Sequence, residues 1–325
     1  MKNKTLKKKK MYLLKENRWI ASLLSIVSLV AICLIFGILT GGRFLTVKNL
    51  ELVINQALIV GVVATGASYI FATGNVNIAM GSSAALVATL GALVYMKTES
   101  VFVMFLVAIT VGIIIMVTCA LLSTIFRVPV IFITIVMMVL LRSIQSEILG
   151  GSIFSVPYAM TNALKEAYVP YIISIIFFVL CIVIFHFTEV GRSLKMVGSN
   201  EVCAYLTGVF RDKYLVISFL IAGIGVGIGA IMTIIRTGAI SVTTGASMNM
   251  DVMLAIVLGG MPITGGSKSK AYAAVIGAIT VTVLNNGLLM IGVDSTVLQG
   301  VRGVIFLILV LASSKRSILL PAREG

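Results

Sequence analysis

The chain has 325 residues, of which 59% are hydrophobic and 11% are charged, and its mean hydropathy is +1.15. Soluble domains carry about 25% charged residues, so a water-soluble chain could not bury this much apolar surface in one core. The net charge of +14 is concentrated at the chain ends and in short loops, a pattern typical of membrane topology rather than of a nucleic-acid surface. Composition therefore predicts a polytopic membrane protein.

Apolar segments follow one another along almost the whole chain, and a membrane span needs about 20 such residues. We predict an all-α transmembrane bundle of about ten spans with broken helices. The segment at 250–263 is short, and the one at 78–96 is rich in Gly, Ala and Ser. In chain order the predicted spans are 19–40, 51–72, 78–96, 101–124, 129–149, 168–188, 214–235, 250–263, 271–291 and 296–313.

The distribution of Lys and Arg predicts how these spans are oriented. With the N-terminus inside, eighteen of the 25 basic residues fall in inside segments and five in outside segments. Arg142 and Arg302 remain within spans. Because cytoplasmic segments carry the excess of Lys and Arg, this division predicts that both termini are cytoplasmic. One span more or fewer would move every later loop to the other side of the membrane, and the basic residues would no longer be concentrated in the inside segments.

Ionisable residues exclude several classes of activity. All eleven acidic residues are assigned to tails, loops or span ends, which disfavours a proton-coupled carrier with a relay carboxylate at mid-membrane. Sodium coupling through backbone carbonyls stays open. The stretch GGMPITGGSKS (259–269) resembles a P-loop, but Gly266 stands where the lysine is required. We therefore expect no catalytic residue, no metal site and no cofactor on this chain.

Polar residues at membrane depth predict a path for a solute. The stretch ATGNVNIAMGSS (72–83) has the composition of an unwound break, which membranes tolerate where it lines a cavity, although a simple loop with turn-forming Asn is the alternative. In LNNG (284–287) the adjacent amides face different sides of a helix, so one at most points into a pore. Arg142 is expected to extend to the outer interface. The residues predicted to line the path are Asn75, Asn77, Ser82, Thr134, Asn285 and Asn286.

A short helix is predicted on the cytoplasmic side, within VGSNEVCAYLTGV (197–209). Gly-Ser-Asn is a typical helix start, and Gly208 is a typical stop. The segment is either a docking helix for a partner chain or an ordinary capped helix within a loop.

Three stretches carry a resemblance to a known family. They are VGSNEVCAYLTGVFRDK (197–213), DVMLAIVLGGMPITGGSKSK (251–270) and VIGAITVTVLNNGLLMIGV (275–293). Through them the chain resembles the permease subunit of bacterial ABC importers of the ribose/simple-sugar class, in the larger group that includes branched-chain amino acid permeases. The similarity runs from FLTVKNL (44–50) to SSKR (313–316).

This resemblance implies one transmembrane permease domain, 19–313, with a cytoplasmic coupling loop at 189–213. It lies between a basic cytoplasmic tail, 1–18, and a second cytoplasmic tail, 314–325. The implied partners are an ABC ATPase subunit that binds ATP and Mg²⁺, an extracytoplasmic solute-binding protein, a second permease copy in a homodimer, and membrane lipid. The residues expected to couple to the ATPase are Ser199, Asn200, Glu201, Ala204, Tyr205 and Gly208.

One departure from the family pattern leaves the solute open. Members commonly carry G-G-I-D-L-S-V-G where this chain has GNVNIAMG (74–81), so Asn77 replaces an aspartate and Ala79 a serine. An ionised aspartate only accepts hydrogen bonds, whereas asparagine also donates. The expected solute is a simple sugar or a sugar-like compound, with a nucleoside or an autoinducer-2-like ligand as the alternative. A sodium-coupled secondary carrier is the less favoured class.

Overall fold

A computed structural model describes the backbone of residues 18–314 and the side chains of residues 29–311. Apart from Arg18 and Ser314, the two predicted tails lie outside the described residues. The described part contains thirteen α-helices, one 3-10 turn (Arg43–Leu45) and two short strands. In chain order they are α1 (Arg18–Leu39), α2 (Val47–Ala72), α3 (Met80–Thr98), α4 (Val101–Phe126), α5 (Val130–Leu149), β1 (Phe154–Ser155), α6 (Tyr158–Glu166), α7 (Val169–Phe187), α8 (Glu189–Ser199), α9 (Glu201–Leu206), α10 (Arg211–Thr237), β2 (Ala239–Ile240), α11 (Met248–Leu258), α12 (Ala271–Met290) and α13 (Ser295–Ser314).

Seven of the described helices are long and apolar enough to cross a membrane: α2, α3, α4, α5, α7, α10 and α12. Three further apolar stretches are shorter, at Leu29–Leu39, Met248–Leu258 and Ser295–Leu311. Each predicted span coincides with one helix to within a few residues. The all-helical, polytopic class is confirmed, while the count of ten spans and the cytoplasmic position of both termini stay predictions.

Helix α10 is the centre of the bundle because its glycines let neighbouring backbones approach closely. A Cβ atom at Gly223 would lie 2.6 Å from the Cα of Ile113 on α4, and one at Gly227 would lie 2.7 Å from the Cα of Ile109. Neither position has room for a side chain. The glycine-rich stretch 221–230 is therefore a helix-packing face, as small residues in membrane helices commonly are.

The two short strands hold together the chain segments at the Thr237 end of α10. Phe154 pairs with Ile240 in an antiparallel bridge, and the Val156 backbone N–H donates to the Gly238 carbonyl over 2.8 Å. The loop after α5 is thereby fixed beside the segment that leaves α10. This bridge sets the starting point of the irregular segment 241–247, which turns back into the bundle.

Helix α5 is the least enclosed of the seven candidate spans: 17% of its 18-residue apolar stretch is buried, against 67% of the corresponding stretch of α10. Its exposed face carries Phe132, Val136 and Val139, each more than half exposed. A contiguous apolar face of this kind requires lipid or another protein chain as its neighbour.

Candidate functional site

Two interruptions in the helical bundle meet between α3 and α11. One is the segment 73–79 before α3, and the other is the segment 241–247 before α11. At their meeting point, the Asn249 side-chain oxygen accepts hydrogen bonds from the Gly81 and Ser82 backbone N–H groups, the latter over 3.2 Å. The Asn249 amide donates to the Ser82 hydroxyl over 3.3 Å. The backbone N–H groups in the first turn of a helix have no acceptor within that helix. At the start of α3, the Asn249 side chain provides this acceptor.

The contact between Gly81 and the 241–247 segment is a backbone contact. A Cβ atom at Gly81 would lie 2.6 Å from the Asn249 backbone nitrogen and 2.8 Å from the Gly245 carbonyl oxygen. Gly245 itself has a φ of 75°, in the left-handed region that favours glycine. Glycine is required at both positions for the two interruptions to approach each other.

Helix geometry places this contact deep in the bundle. Gly91 packs against Ile234, close to the Thr237 end of α10. Since a helix rises about 1.5 Å per residue, Gly81 lies about 15 Å further from that end, and α10 is about 40 Å long. The contact of Asn249 with the start of α3 therefore lies about half-way along α10.

A cavity of about 310 Å³ adjoins this contact. Its lining combines polar groups with an apolar wall: Ser82, Arg142, Ser143, Asn249, Met138, Val139 and Ala246. None of these lining residues is acidic. Val139 and Ser143 are exposed, so the cavity opens on the α5 side of the bundle. The arrangement offers hydroxyl, amide and guanidinium groups to a small polar solute.

Helix α5 holds the 241–247 segment in place through two side chains one turn apart. The Arg142 guanidinium donates to the Thr244 carbonyl over 2.8 Å and to the Gln145 side-chain oxygen over 3.3 Å. The Gln145 amide, which is fully buried, donates to the Ser241 carbonyl over 3.2 Å. The expectation that Arg142 extends to the outer interface is therefore wrong, because unsatisfied loop carbonyls inside the bundle bind it instead.

Of the six predicted path residues, Ser82 lines the cavity, whereas Asn75, Asn77 and Thr134 bond to groups of the 73–79 break or its neighbours. Asn77 is 1% exposed; its side-chain oxygen accepts from the Ala79 backbone N–H over 2.8 Å, and its amide lies 3.4 Å from the Met116 sulfur. Asn75 donates to the Thr73 hydroxyl over 2.9 Å. Thr134, fully buried, lies 3.4 Å from the Ile78 backbone nitrogen. These side chains shape the break rather than line the cavity.

Asn285 belongs to a buried charge cluster that joins α11, α12 and α13. Its amide donates to Asp251 over 2.9 Å, and its oxygen accepts from the Arg302 guanidinium over 2.9 Å. Arg302 and Asp251 also form an ion pair at 3.2 Å, and all three residues are at most 5% exposed. The buried side-chain oxygen of the adjacent Asn286 has no hydrogen-bond partner among the described residues. Asn285 is thus engaged by its own partners and is not among the residues that line the cavity.

Asp251 lies in the first turn of α11, at the start of the predicted span 250–263 as expected, but its side chain is buried inside the protein. Asp251 lies two residues after Asn249 on α11, deep in the bundle, and is 2% exposed. Its charge is compensated by Arg302, and the Asn285 amide donates to the same carboxylate oxygen, so the buried carboxylate is both paired and hydrogen-bonded. A carboxylate held in this way is engaged in joining helices rather than free to act as a proton relay.

A separate exposed surface lies at the Arg211 end of α10. There Asn200 caps α9, its side-chain oxygen accepting from the Cys203 backbone N–H over 3.0 Å, and Gly208 ends the segment with a φ of 82°. Three apolar side chains of α9 are more than 60% exposed: Val202, Tyr205 and Leu206. We call these three residues the docking patch.

The predicted coupling residues are divided by this geometry. Glu201 is exposed and lies 3.6 Å from the Arg211 guanidinium, and Tyr205 belongs to the docking patch. Ala204 is 1% exposed and faces the protein, so it offers no surface to a partner. Val202 and Leu206 were missed, although their spacing around a buried Ala204 on a capped helix is the signal that could have identified them.

Comparison with known proteins decides the family. Residues 49–312 match the family model described as "Branched-chain amino acid transport system / permease component". The chain belongs to this permease family. The family resemblance inferred from the sequence is confirmed, and the chain is a multi-pass protein of the bacterial cytoplasmic membrane.

Curated relatives of this permease extend the comparison over nearly the whole chain. The ribose import permease protein RbsC of Escherichia coli strain K12 is 26% identical over 308 residues, which cover 92% of this chain and 95% of the relative. The galactofuranose transporter permease protein YtfT of the same strain is 25% identical, covering 82% and 80% of the two chains. The autoinducer 2 import system permease protein LsrC of Photorhabdus laumondii is 27% identical, covering 82% of each. No solved structure matches this permease.

Proposed function

We propose that this permease forms the translocation path of an ABC importer for a simple sugar or a sugar-like solute. The observation that carries the proposal is the cavity at Ser82 and Asn249, where two interrupted helices meet about half-way through the bundle. Interrupted helices at membrane depth commonly provide the binding groups of transporters, because their free backbone and side-chain groups can face a cavity.

The chemistry of the cavity suits a neutral solute with several hydroxyl groups. Ser82, Ser143 and Asn249 each provide both donors and acceptors, and Arg142 adds donors. Met138, Val139 and Ala246 provide an apolar wall against which the C–H face of a sugar ring can pack. A volume of 310 Å³ is at the lower end of the range of about 300–1,000 Å³ found for small-molecule sites.

The named substrates of the relatives support the same class, since they include ribose, galactofuranose and autoinducer 2. The replacement of the family's aspartate by Asn77 is a weaker guide to the solute than the sequence indicated, because Asn77 faces Met116 rather than the cavity. A sugar is therefore the leading candidate, and an autoinducer-2-like ligand or a nucleoside is the alternative.

A second copy of the chain would close the path. The cavity opens beside Val139 and Ser143 on the exposed face of α5, and Arg142 lies directly behind that opening. Exposing a guanidinium-lined opening to hydrocarbon is costly, so this face requires a protein or aqueous neighbour. In a homodimer whose two α5 faces surround a shared path, this face would have the second copy as its protein neighbour and the path as its aqueous neighbour.

We assign the other partners to separate places on the molecule. The docking patch would bind the ATPase subunit, which supplies the ATP and Mg²⁺ sites, at the Arg211 end of α10. The extracytoplasmic solute-binding protein would bind at the opposite end, where α6 and the β1–β2 bridge lie. In this arrangement, solute capture and energy both come from other chains.

Uptake into proteoliposomes tests this function. The permease, co-expressed with candidate ATPase and binding-protein genes from its own locus, should copurify with the ATPase and accumulate labelled ribose only when ATP and the binding protein are present. Competition by galactofuranose, autoinducer 2 and adenosine would rank the alternative solutes. Accumulation driven by a sodium gradient without ATP would overturn the importer assignment and support a secondary carrier.

A matched pair of variants on α5 tests the cavity. Ser143→Leu fills the opening and should lower ATP-driven uptake at least about tenfold, the loss expected when a bound solute forfeits one or two hydrogen bonds. Ser146→Leu makes the same change one turn further along, at an exposed residue outside the cavity lining, and should leave uptake near normal. Equal effects of the two changes would place the path elsewhere.

A further inference from the structure

Three segments of the chain meet in direct backbone contact at the Arg211 end of the bundle. The Gly266 backbone N–H donates to the Ala72 carbonyl over 3.0 Å, which joins the loop after α11 to the end of α2. The Ser267 backbone N–H donates to the Ser199 hydroxyl over 2.9 Å, and this hydroxyl in turn donates to the Lys195 carbonyl within α8 over 2.8 Å. The loop 259–270, the end of α2 before the 73–79 break, and α8 are thereby connected by a continuous set of hydrogen bonds.

Glycines make this contact possible. A Cβ atom at Gly198 would lie 2.1 Å from the Ala72 carbonyl oxygen and 2.8 Å from the Gly266 nitrogen. One at Gly265 would lie 2.5 Å from the Phe71 carbonyl oxygen, and Gly265 has a φ of 68°. Backbone packed directly on backbone has no side-chain rotamers through which it could yield. A Cβ atom at Gly265 would also lie 2.5 Å from the Gly74 backbone nitrogen. We call Gly74, Gly198, Ser199, Gly265 and Gly266 the glycine junction.

The glycine junction lies next to the docking patch. Ser199 is the last residue of α8, and Asn200, which follows it, caps α9. A displacement of α9 by a bound partner would therefore act on Ser199 first. The other two segments of the junction receive that displacement through the hydrogen bond from Ser267 and the packing of Gly198.

From the glycine junction, the chain leads to the cavity along two routes. Through the segment 73–79 it reaches Gly81 and Ser82 at the start of α3. Through the loop 259–270 and back along α11, it reaches Asn249. The two routes end on the two sides of the same hydrogen bonds, those between the start of α3 and the Asn249 side chain.

On the basis of the proposed function, we propose that the glycine junction transmits the movement of the docking helix α9 to the cavity. Gly198 and Ser199 are positioning residues in this scheme, since they touch neither solute nor nucleotide. Because the contact is rigid, α9, the 73–79 break and the 259–270 loop move together, and closely packed elements pass such a shift on rather than absorb it. The shift reaches the bonds between Ser82 and Asn249 from both sides and alters the cavity.

This assignment also gives a role to the GGMPITGG stretch, whose composition resembles a P-loop without the required lysine. Its last two glycines, Gly265 and Gly266, both have positive φ values and both contact the ends of other elements. These two glycines allow backbones to approach each other closely. This packing role explains the glycines of the stretch, although it lacks the lysine of a phosphate-binding loop.

The test compares ATP hydrolysis with uptake in the reconstituted complex. Ser199→Ala removes the hydroxyl that accepts from Ser267 at an exposed site, so folding and assembly should be preserved. We expect unchanged copurification of the ATPase, retained ATP hydrolysis, and uptake per ATP hydrolysed lowered about tenfold, within the usual range of coupling between sites. Ser199→Thr keeps the hydroxyl and should restore uptake per ATP.

Gly198→Ala supplies a second test, with larger steric effect, and Gly300→Ala and Gly303→Ala supply controls. A Cβ atom at either control position would meet nothing within 4 Å, so both changes should leave all three measurements near wild type. Gly198→Ala should either uncouple uptake from hydrolysis more strongly than Ser199→Ala or fail to assemble, in which case Ser199→Ala decides.

The outcomes separate this inference from the function on which it rests. Wild-type permease that neither copurifies with an ATPase nor takes up solute with ATP overturns the proposed function. A wild-type complex that works normally, together with Ser199→Ala at an unchanged ratio of uptake to hydrolysis, overturns the glycine junction alone. A parallel fall of hydrolysis, uptake and assembly in Ser199→Ala would show a merely structural role and would also overturn it.

Discussion

Ser82 and Asn249 hold each other across the meeting point of two interrupted helices. The Ser82 backbone N–H donates to the Asn249 side-chain oxygen over 3.2 Å, and the Asn249 amide donates to the Ser82 hydroxyl over 3.3 Å. A single side chain thereby fixes the start of α3 and the start of α11 in one geometry. Both residues also line the cavity, so their bond links the fold directly to the proposed path.

Asn249→Ala should destabilise the permease and abolish most uptake. The change leaves the backbone N–H groups of Gly81 and Ser82 without their acceptor inside the bundle, at a cost of about 1–3 kcal/mol. Thermal unfolding of the purified protein in detergent would measure the loss. Asn249→Asp keeps the acceptor oxygens and should unfold closer to wild type, so equal destabilisation by both variants would contradict this role of the side-chain oxygen.

Arg142→Met should weaken solute binding in transport. The guanidinium both lines the cavity and holds the Thr244 carbonyl, so its loss removes donors from the cavity and loosens the 241–247 segment. The solute concentration for half-maximal uptake should rise about tenfold, as expected for one hydrogen bond from a charged group. Arg127→Met, at an exposed residue between α4 and α5, is the matched control and should have no such effect. A fall in maximal rate alone would indicate a role other than binding.

The sequence predicted the helices well and the contacts between them poorly. Each predicted span became a helix because apolar runs of this length have no other stable state in lipid. The 72–83 break and the capped helix after Asn200 were also predicted, since Gly and Asn carry those signals locally. All these features depend on neighbours within about one or two helical turns.

Features formed between distant segments could not be found in this way. Asn249 and Arg142 line the cavity, yet the local pattern left Asn249 just outside the predicted span 250–263 and indicated Arg142 as an interfacial cation. Asn285 was expected in the path because its partners, Asp251 and Arg302, lie 34 and 17 residues away in the chain. Tertiary contacts decide whether a polar residue faces a cavity or bonds to another polar residue. A single sequence does not show these contacts.

Single changes in the buried charge cluster should be more damaging than a paired change. Asp251→Leu leaves Arg302 charged and unpaired inside the bundle, and Arg302→Met leaves Asp251 in the same state, each at a cost of about 3–5 kcal/mol. The double variant removes both charges and should be more stable than either single variant. A double-mutant cycle of thermal unfolding measures this coupling, and additive effects would contradict a direct ion pair.

Leu206→Asp should release the ATPase from the permease. Leu206 is 78% exposed at the tip of the docking patch, beside Val202 and Tyr205, and a partner that buries this patch would have to bury an unpaired carboxylate in the variant. A loss of about 2 kcal/mol, typical of one central interface residue, corresponds to roughly thirtyfold weaker association. Glu201→Arg should weaken the same association, because it replaces the partner of Arg211 with a like charge.

The matched control for this surface is Tyr158→Asp. Tyr158 is 75% exposed on α6, at the opposite end of α10, so the same loss of apolar surface occurs away from the docking patch. Copurified ATPase should fall for Leu206→Asp and stay constant for Tyr158→Asp, with equal amounts of permease in the membrane. If Leu206→Asp retains the full amount of ATPase, then α9 does not form the docking surface, and the ATPase must act on the permease through another surface.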